Sequence, residues 1–343
     1  MSRVFLTGAS GYIGGQVLHA LVNAHPELTI RALVRDLTKG EAITTAYPNV
    51  QIVEGSLDDE SVLSKEASDA SVVLHLAATG HLKSVETIHK ALQNRSGKPA
   101  RWIQISGASL LAADELADST RVPGSPSDLI FDDLDGVAAI HSLIKKHPSR
   151  AVDNYLLSVA ESTPQVKTAL VVPPIIYGPG QGPVNQRSVQ IPSLAKATLE
   201  RGKGLQVGQG LSRWSNVHIQ DLGQLFVLLV KAALSDQATE GLWGLNGIYL
   251  TGTGELPFGD ISSRVASFAA EQGWIANRDV DEVLGDEANN LLPHSTVLYG
   301  TNARSKARRA IERLGWRPQH VNGLEAEIPR AVTEEARALG KAA

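Results

Sequence analysis

Residues 2–14 of the chain, SRVFLTGASGYIG, place a short apolar strand directly before a glycine-rich turn. Apolar residues at positions 13, 17, 18, 21 and 22 follow, and this spacing predicts a helix. A helix that begins at the end of a parallel strand presents backbone N–H groups, and its dipole favours negative charge at that end. The stretch therefore predicts a strand, a turn and a helix that together bind the pyrophosphate of a dinucleotide.

The glycines follow the pattern G-x-x-G-x-x-G, at Gly8, Gly11 and Gly14. Its first gap is one residue longer than in the G-x-G-x-x-G pattern of ordinary Rossmann folds. The simpler alternative is a tight turn in which the glycines only supply positive φ angles. The strand before the turn and the helix after it favour dinucleotide binding.

The composition is that of a globular intracellular enzyme. The chain has 343 residues, is 43% hydrophobic, carries a net charge of −4 and contains no cysteine. The length suits a large domain plus a smaller one, and no basic cluster indicates nucleic acid or a membrane surface. The absence of cysteine excludes disulfides and cysteine nucleophiles. A strand that begins at residue 2 leaves no room for a signal peptide, so we expect a cytoplasmic protein.

Strands alternate with helical segments over the first half of the chain. The predicted strands lie at 2–7, 29–35, 50–54, 72–76, 101–106 and 166–172. This alternation predicts an α/β fold, a Rossmann-type doubly wound parallel sheet. After Pro173 the pattern becomes irregular, with helices near 188–201 and 219–234. We predict a dinucleotide-binding domain at 1–177 and a partly helical substrate-binding region at 178–343, partly interleaved with it.

Six ordered motifs extend this prediction. They are TGASGYIG at 7–14, Leu57-Asp58, His75-Leu76-Ala77-Ala78, PPIIYGPG at 173–180, VHIQDL at 217–222 and LGWRP at 314–318. In these the chain resembles the extended short-chain dehydrogenase/reductases, the nucleotide-sugar epimerase and dehydratase-like group. The resemblance implies that the second motif contacts the adenine, the third the ribose and the fourth the nicotinamide region.

The residue at the end of the second strand indicates which nicotinamide cofactor is bound. Sites that prefer NAD commonly place a carboxylate there, whereas this chain has Arg35, which can hold a 2′-phosphate bidentately. We expect NADP(H) to be preferred over NAD(H), although the adjacent Asp36 could instead hold a 2′-OH or pair with Arg35. The predicted cofactor contacts are Gly8, Ser10, Gly11, Tyr12, Ile13, Gly14, Arg35, Leu57, Asp58, Ala77, Ala78, Thr79, Pro173 and Ile176.

The catalytic residues depart from those of the resembled family. Its members carry a Ser or Thr after the fifth strand, then a Tyr-x-x-x-Lys pair whose tyrosine moves the substrate proton. Ser106 fits the first position, although a serine in a turn can also simply bond nearby backbone. None of the six tyrosines is followed four residues later by lysine. The catalytic proton donor therefore has to be sought elsewhere.

Two residues are candidates for the missing donor. By counting back from Pro173, the family's tyrosine falls near His147 and its lysine near Arg150 or Ala151. His147 has the right pKa range for a proton donor, but it precedes a proline and is equally expected to end a helix over 137–146. Tyr155, on the next predicted helix, could reach the site or could be an ordinary core residue.

Two further regions bear on the substrate. The acidic segment 107–136 is a long insertion directly after Ser106, and it is either a lid over the substrate cleft or a solvated loop. Its acids lack the spacing of a calcium loop, and we predict no metal site. Tyr177, Arg187, Trp214 and His218 are predicted to line the substrate pocket, although each could instead have a structural role.

Three functions remain open at this stage. The first is an NADPH-dependent reductase of a carbonyl or an activated double bond in a small organic molecule. The second is an NADP(H)-binding sensor without turnover, which the missing Tyr-x-x-x-Lys pair would suit. The third is an epimerase or dehydratase with tightly bound NAD(P). The expected partner is a small-molecule substrate, not nucleic acid or a membrane. Relatives often form homodimers through helices that correspond here to 82–94 and 150–161.

Overall fold

The structure is a computed structural model that describes residues 2–95, 99–235 and 241–342. Its strands are β1 (Arg3–Thr7), β2 (Thr29–Val34), β3 (Gln51–Glu54), β4 (Val72–His75), β5 (Ala100–Ile105), β6 (Ile130–Asp132), β7 (Val166–Val172), β8 (Ile175–Tyr177), β9 (Gly204–Val207), β10 (Arg213–His218), β11 (Ile248–Leu250), β12 (Gly254–Pro257), β13 (Val280–Val283) and β14 (Arg304–Lys306). Its helices are α1 (Tyr12–Ala24), α2 (Leu37–Ala46), α3 (Glu60–Asp69), α4 (Leu82–Gln93), α5 (Ala113–Ala117), α6 (Val137–Lys146), α7 (Ala151–Ser162), α8 (Gln190–Arg201), α9 (Ile219–Leu234), α10 (Phe258–Glu271), α11 (Gly285–Leu291), α12 (Ser295–Leu298), α13 (Arg308–Leu314) and α14 (Leu324–Ala338).

A seven-stranded parallel sheet forms the centre of the molecule, in the order β11-β7-β5-β4-β1-β2-β3. Successive side chains of a strand point to opposite faces, so Val4 and Leu6 of β1 join one hydrophobic core and Phe5 joins the other. Strands covered on both faces are expected to be largely apolar, as Val72, Val73 and Leu74 of β4 are. The predicted doubly wound parallel sheet is confirmed, and each predicted strand agrees with an observed one to within one residue at either end.

The sheet has one strand that the sequence analysis did not predict. β11, with only three residues, pairs in parallel with β7 and extends the sheet from within the predicted substrate-binding region. In the same way, α9 packs on α1 in one core although it comes from the second half of the chain. The two predicted regions are therefore interleaved through the core itself.

Segment 107–136 is an ordered strap rather than a solvated loop. β6 pairs in parallel with β14, and Glu115 accepts hydrogen bonds from the backbone and side chain of Asn302 at 2.8 and 3.0 Å. Buried Asp133 accepts from the backbone N–H groups of Leu250 and Arg309 at 2.9 and 2.8 Å. These contacts tie the segment to the C-terminal half of the chain.

In the described ranges no helix combines the length and the apolar character needed to cross a membrane.

Candidate functional site

The glycine turn joins β1 to α1 in a shape that leaves the helix end open. Gly8 has a φ of +85°, and a Cβ there would lie 2.8 Å from the backbone of Leu76. Gly11 is the N-cap of α1 and offers no side-chain cap, so the first N–H groups of the helix are free to bind an anion. This is the geometry that a dinucleotide pyrophosphate requires.

A cavity of about 490 Å³ lies on one side of this turn, at the ends of β1, β2 and β3. Its lining includes Gly8, Ser10, Arg35, Leu57, Asp58, Ala77 and Ala78, all predicted cofactor contacts. Asp36 does not pair with Arg35. Its carboxylate instead caps α2 by accepting from the Thr38 N–H at 3.0 Å, with Lys39 at 3.7 Å. In the described part of the chain, no hydrogen bond or ion pair holds the exposed Arg35 guanidinium.

The wall of this cavity at the end of β4 is held by a buried hydrogen-bonded histidine. His75 lies with Nδ1 2.8 Å from Thr7 Oγ1 and with Nε2 2.9 Å from Ser84 Oγ. Complete burial lowers the pKa of His75 to about 3, so the ring is neutral. Because Thr7 Oγ1 also accepts from the N–H groups of Leu76 and Ala77, at 3.2 and 3.3 Å, the backbone beside the turn is fixed.

A second cavity, of about 460 Å³, continues from the first across Gly11, Leu76 and Ala77. Its lining is Gly11, Tyr12, Ile13, Gly14, Leu76, Ala77, Ser106, Gly107, Ala108, Ser109, Pro173, Pro174, Ile176, Asn185, Val189, Gln190, Trp214 and Leu298. No lysine, arginine, aspartate or glutamate is among these described residues. The two cavities form one groove, with a polar end and a largely apolar end, that runs past the open N-terminus of α1.

Ser106 lies at the end of β5 in the apolar part of the groove. Its Oγ donates to Asp153 Oδ1 at 2.7 Å and accepts from Arg150 Nη2 at 3.3 Å. The hydroxyl is therefore not used to satisfy nearby backbone. Arg150 also donates to Asp153 Oδ2 at 2.7 Å and to Ser109 Oγ at 3.1 Å.

The two candidates for the missing proton donor lie elsewhere. The hydroxyl of Tyr155 is 2.9 Å from His89 Nδ1, because this face of α7 packs against α4 rather than the groove. His147 ends α6, and its ring is 2.6 Å from Asp114 Oδ1. Neither residue lines the cavity that holds Ser106, so the prediction that they act there is corrected.

Of the four predicted substrate residues, one lines the apolar cavity and three do not. Trp214 lines the apolar cavity, whereas Arg187 pairs with Glu335 of α14 at 2.6 Å and points away. Tyr177 is buried with its hydroxyl donating to the carbonyl oxygen of His320 at 2.6 Å. His218 is the N-cap of α9, and its ring stacks on that of His320 at 3.8 Å between centroids. These three have structural roles here, because each is already bound within the C-terminal half.

Thr79 also departs from the prediction. Among the described residues it lines neither cavity, although Ala78 before it and His81 after it do, and its side chain is exposed. The predicted contacts Tyr12, Ile13, Gly14, Pro173 and Ile176 do line the apolar cavity. Tyr12 additionally donates its hydroxyl hydrogen to the carbonyl oxygen of Gly178 at 2.6 Å, which joins α1 to the segment after β8.

The sequence analysis missed several residues of the groove. His81, Ser109, Val189, Gln190 and Leu298 line it, and Asp153 lies directly behind Ser106. The only signal for Asp153 was its spacing from Arg150, which falls where the family's lysine was expected. Gln190 and Leu298 are separated by more than a hundred residues and meet only in the folded chain, where the amide of Gln190 donates to the carbonyl oxygen of Leu298 at 2.9 Å.

Comparison with known proteins shows which family this chain is similar to. The NmrA-like family matches residues 1–94. The oxidase ucsJ from Acremonium sp is 35% identical over 347 residues, which span 98% of this chain and 99% of the relative.

Solved structures share the fold at much lower identity. The dTDP-glucose 4,6-dehydratase from Bacillus anthracis in complex with NAD has a TM-score of 0.65 at 14% identity, covering 100% of this chain and 99% of that one. The UDP-glucose 4-epimerase from Thermotoga maritima has a TM-score of 0.61 at 16% identity, covering 98% and 99%. From its full-length similarity to ucsJ, the chain belongs to the same family as that oxidase, and its fold is the one that these dehydratase and epimerase structures share.

Proposed function

We propose that this protein is an NADP(H)-dependent oxidoreductase that reduces a carbonyl or an activated double bond of a small, uncharged organic molecule. The observation that carries the proposal is the position of the Ser106 hydroxyl. It lines the apolar end of the groove, a cavity of about 460 Å³ in which the nicotinamide and a substrate would lie side by side. A hydroxyl in that place can bond the oxygen of a substrate beside the nicotinamide.

The preference for NADP(H) is supported by Arg35. Its guanidinium lines the adenosine end of the groove, where a 2′-phosphate would lie. Asp36, the residue that could have bound a 2′-OH instead, is committed to capping α2. The exposed guanidinium of Arg35, next to an Asp36 carboxylate that already caps α2, favours the phosphorylated cofactor.

The expectation that the substrate is uncharged rests on the residues that line the apolar cavity. Its polar side chains among the described residues are Ser106, Ser109, Asn185 and Gln190. The ring N–H of Trp214 and the hydroxyl of Tyr12 donate instead to Thr301 Oγ1 and to the carbonyl oxygen of Gly178. A charged group buried there would lose its hydration without gaining an opposite charge. Arg187, which could have bound an anion, is paired with Glu335 instead. A nucleoside diphosphate sugar is therefore a poor fit.

The chemistry divides between the cofactor and the chain. The nicotinamide, when bound, supplies or accepts the hydride. Ser106 binds the substrate oxygen, while the apolar walls formed by Ile176, Trp214 and Leu298 exclude water and hold the carbon skeleton against the ring position. The name of the relative ucsJ, an oxidase, supports oxidoreduction, and hydride transfer can be measured in both directions.

The test is a titration of the purified protein with NADPH and NADH, followed by absorbance at the nicotinamide band with paired substrates. Each pair consists of a neutral ester that carries a ketone, aldehyde or enone group and the corresponding carboxylate with the same carbon skeleton. The matching alcohols are assayed with the oxidised cofactor to measure the reverse direction. We expect NADPH to bind more tightly and only the neutral members to be turned over.

Each alternative predicts a different result. Tight binding without turnover of any compound would favour the sensor. Product formed without net consumption of cofactor would favour an epimerase or dehydratase. Faster turnover of the carboxylates would contradict the uncharged substrate.

A further inference from the structure

Behind Ser106 lies a carboxylate that the family resemblance does not account for. Asp153 is only 1% exposed, and each of its oxygens has one side-chain partner: Ser106 Oγ donates to Oδ1 and Arg150 Nε donates to Oδ2, both at 2.7 Å. Ser106 itself borders the cavity. The serine hydroxyl thus connects the place where substrate would bind to a buried carboxylate.

Arg150 contacts both members of this pair. Besides its bond to Asp153, its Nη2 donates to Ser106 Oγ at 3.3 Å and its Nη1 to Ser109 Oγ at 3.1 Å. Arg150 is the N-cap residue of α7, so the start of the helix fixes its backbone. The guanidinium orients the carboxylate toward Ser106 and keeps the serine oxygen in place.

The surroundings of Asp153 are otherwise apolar or neutral. The residues of α6, β7 and β11 that line a small cavity together with it are Ile144, Thr168, Leu170 and Ile248. Among the described residues, Arg150 is the one charged group in contact with it. Burial raises the pKa of Asp153, against the opposing effects of Arg150 and the Ser106 hydrogen bond. A carboxyl group of this kind exchanges its proton closer to neutral pH than an exposed one.

We propose that Ser106 and Asp153 form a proton relay that replaces the absent Tyr-x-x-x-Lys pair, with Arg150 as its positioning residue. The proposal rests on the proposed function. In the reducing direction, the O–H proton of Ser106 moves to the substrate oxygen as hydride reaches the substrate carbon. The proton of the Asp153 carboxyl moves to Ser106 Oγ and leaves a carboxylate, which takes a proton from solvent before the next turnover. In the oxidising direction each transfer is reversed.

The relay explains why a lone serine can serve here. A serine hydroxyl is a weak acid and a weak base, and it becomes effective only when a second group exchanges the proton with it. In the geometry observed, Asp153 Oδ1 accepts the Ser106 hydrogen, as it would in the ionised state, and this leaves a lone pair of Oγ for a substrate hydroxyl. That state is the one ready to oxidise an alcohol, and the protonated carboxyl is the one ready to reduce a carbonyl.

The experiment compares four variants with the wild type. Asp153→Asn removes the titrating group at nearly constant shape, and Asp153→Glu keeps it. Arg150→Lys keeps the positive charge without the fork, and Tyr155→Phe is the matched control, because it removes a hydroxyl from the same helix on the face away from the groove. For each variant kcat and KM are measured across pH in both directions, together with NADPH affinity and thermal stability.

We expect Asp153→Asn to lower kcat by about 100-fold or more with little change in KM or NADPH affinity. In the wild type and in Asp153→Glu, reduction should slow and oxidation quicken as pH rises through the carboxyl pKa. This dependence should vanish in Asp153→Asn. Arg150→Lys should shift the midpoint of this pH dependence. Tyr155→Phe should change neither kcat nor the pH profile.

An infrared pH titration of the protein without cofactor gives a readout independent of turnover. The carboxylic-acid carbonyl band of Asp153 should appear as pH falls, be absent in Asp153→Asn and shift in Ser106→Ala. An Asp153→Asn enzyme that keeps the wild-type pH profile would show a purely structural ion pair and overturn the relay, while the proposed function would stand. A wild type that neither binds NADPH nor turns over any substrate would overturn both.

Discussion

The carbonyl oxygen of Gly8 occupies the place where any side chain at position 14 would have to go: a Cβ on Gly14 would lie 2.1 Å from it. Gly11, three residues earlier, is much less constrained. Its φ is −87°, and a Cβ there would find its nearest atom, the same oxygen, at 3.2 Å. The two glycines of one motif therefore have different purposes. Gly14 allows the helix to pack on the strand, and Gly11 leaves room for a ligand.

This difference yields the first prediction. Gly14→Ala should destabilise the protein by about 1–3 kcal/mol through the clash with Gly8, although alanine is ordinarily the better helix residue. Gly11→Ala should keep its stability but weaken NADPH binding about tenfold or more, equal to roughly 1.4 kcal/mol. Urea unfolding and cofactor titration of both variants measure these effects. An unchanged NADPH affinity in Gly11→Ala would sink the assignment of the turn to the pyrophosphate.

The second prediction concerns Arg35. Replacing it by alanine should weaken NADPH about tenfold to 100-fold, because charge-assisted hydrogen bonds to a 2′-phosphate are worth roughly 1.5–3 kcal/mol. NADH should bind as before. Lys39→Ala, which removes a nearby exposed charge at the start of α2, is the control and should affect neither cofactor. Equal losses for both cofactors in Arg35→Ala would refute the phosphate contact.

The third prediction tests the corrected position of Arg187. Its partner Glu335 is only 10% exposed on its side chain, while Arg187 itself is 47% exposed. Because the arginine is well solvated, Arg187→Met should cost only about 1 kcal/mol of unfolding free energy. KM for the best neutral substrate should not change. A raised KM at unchanged stability would return Arg187 to the substrate site.

The fourth prediction is a dependence of stability on pH that originates at His218. Burial, helped by the neighbouring His320, lowers the pKa of His218 from 6.5 to about 4. The unfolded chain therefore binds this proton below pH 6.5 and the folded chain does not until about pH 4. Stability from this group is complete above pH 6.5 and is lost as pH falls through that window, by up to about 1.4 kcal/mol per pH unit.

His218→Asn provides the test, because asparagine retains an N-cap acceptor for Gln220. Between pH 6 and pH 5 the variant should lose stability less steeply than the wild type by about 1.4 kcal/mol per pH unit. Above pH 7 the two unfolding curves should run parallel, since neither state binds the proton there. Identical slopes at both ends of the range would contradict the lowered pKa.

The sequence alone determined the parallel sheet and the glycine turn. Both follow from local rules: apolar runs that form buried strands, and a turn whose backbone requires glycine at Gly8 and Gly14. The cavity-lining residues Leu57, Asp58, Ala77 and Ala78 were predicted from the family resemblance, and their position has a related physical reason. Each directly follows a parallel strand, and the carboxyl ends of parallel strands meet at one edge of the sheet.

Only the tertiary structure decided which polar side chains reach the apolar end of the groove. Tyr155 and Asp153 lie on the same helix, two residues apart, yet one faces α4 and the other Ser106. Arg187 follows directly after a motif at the groove, but α14, nearly 150 residues later, supplies the carboxylate that draws it away. Helix rotation and long-range ion pairs depend on how the whole core packs, and spacing along the chain does not encode them.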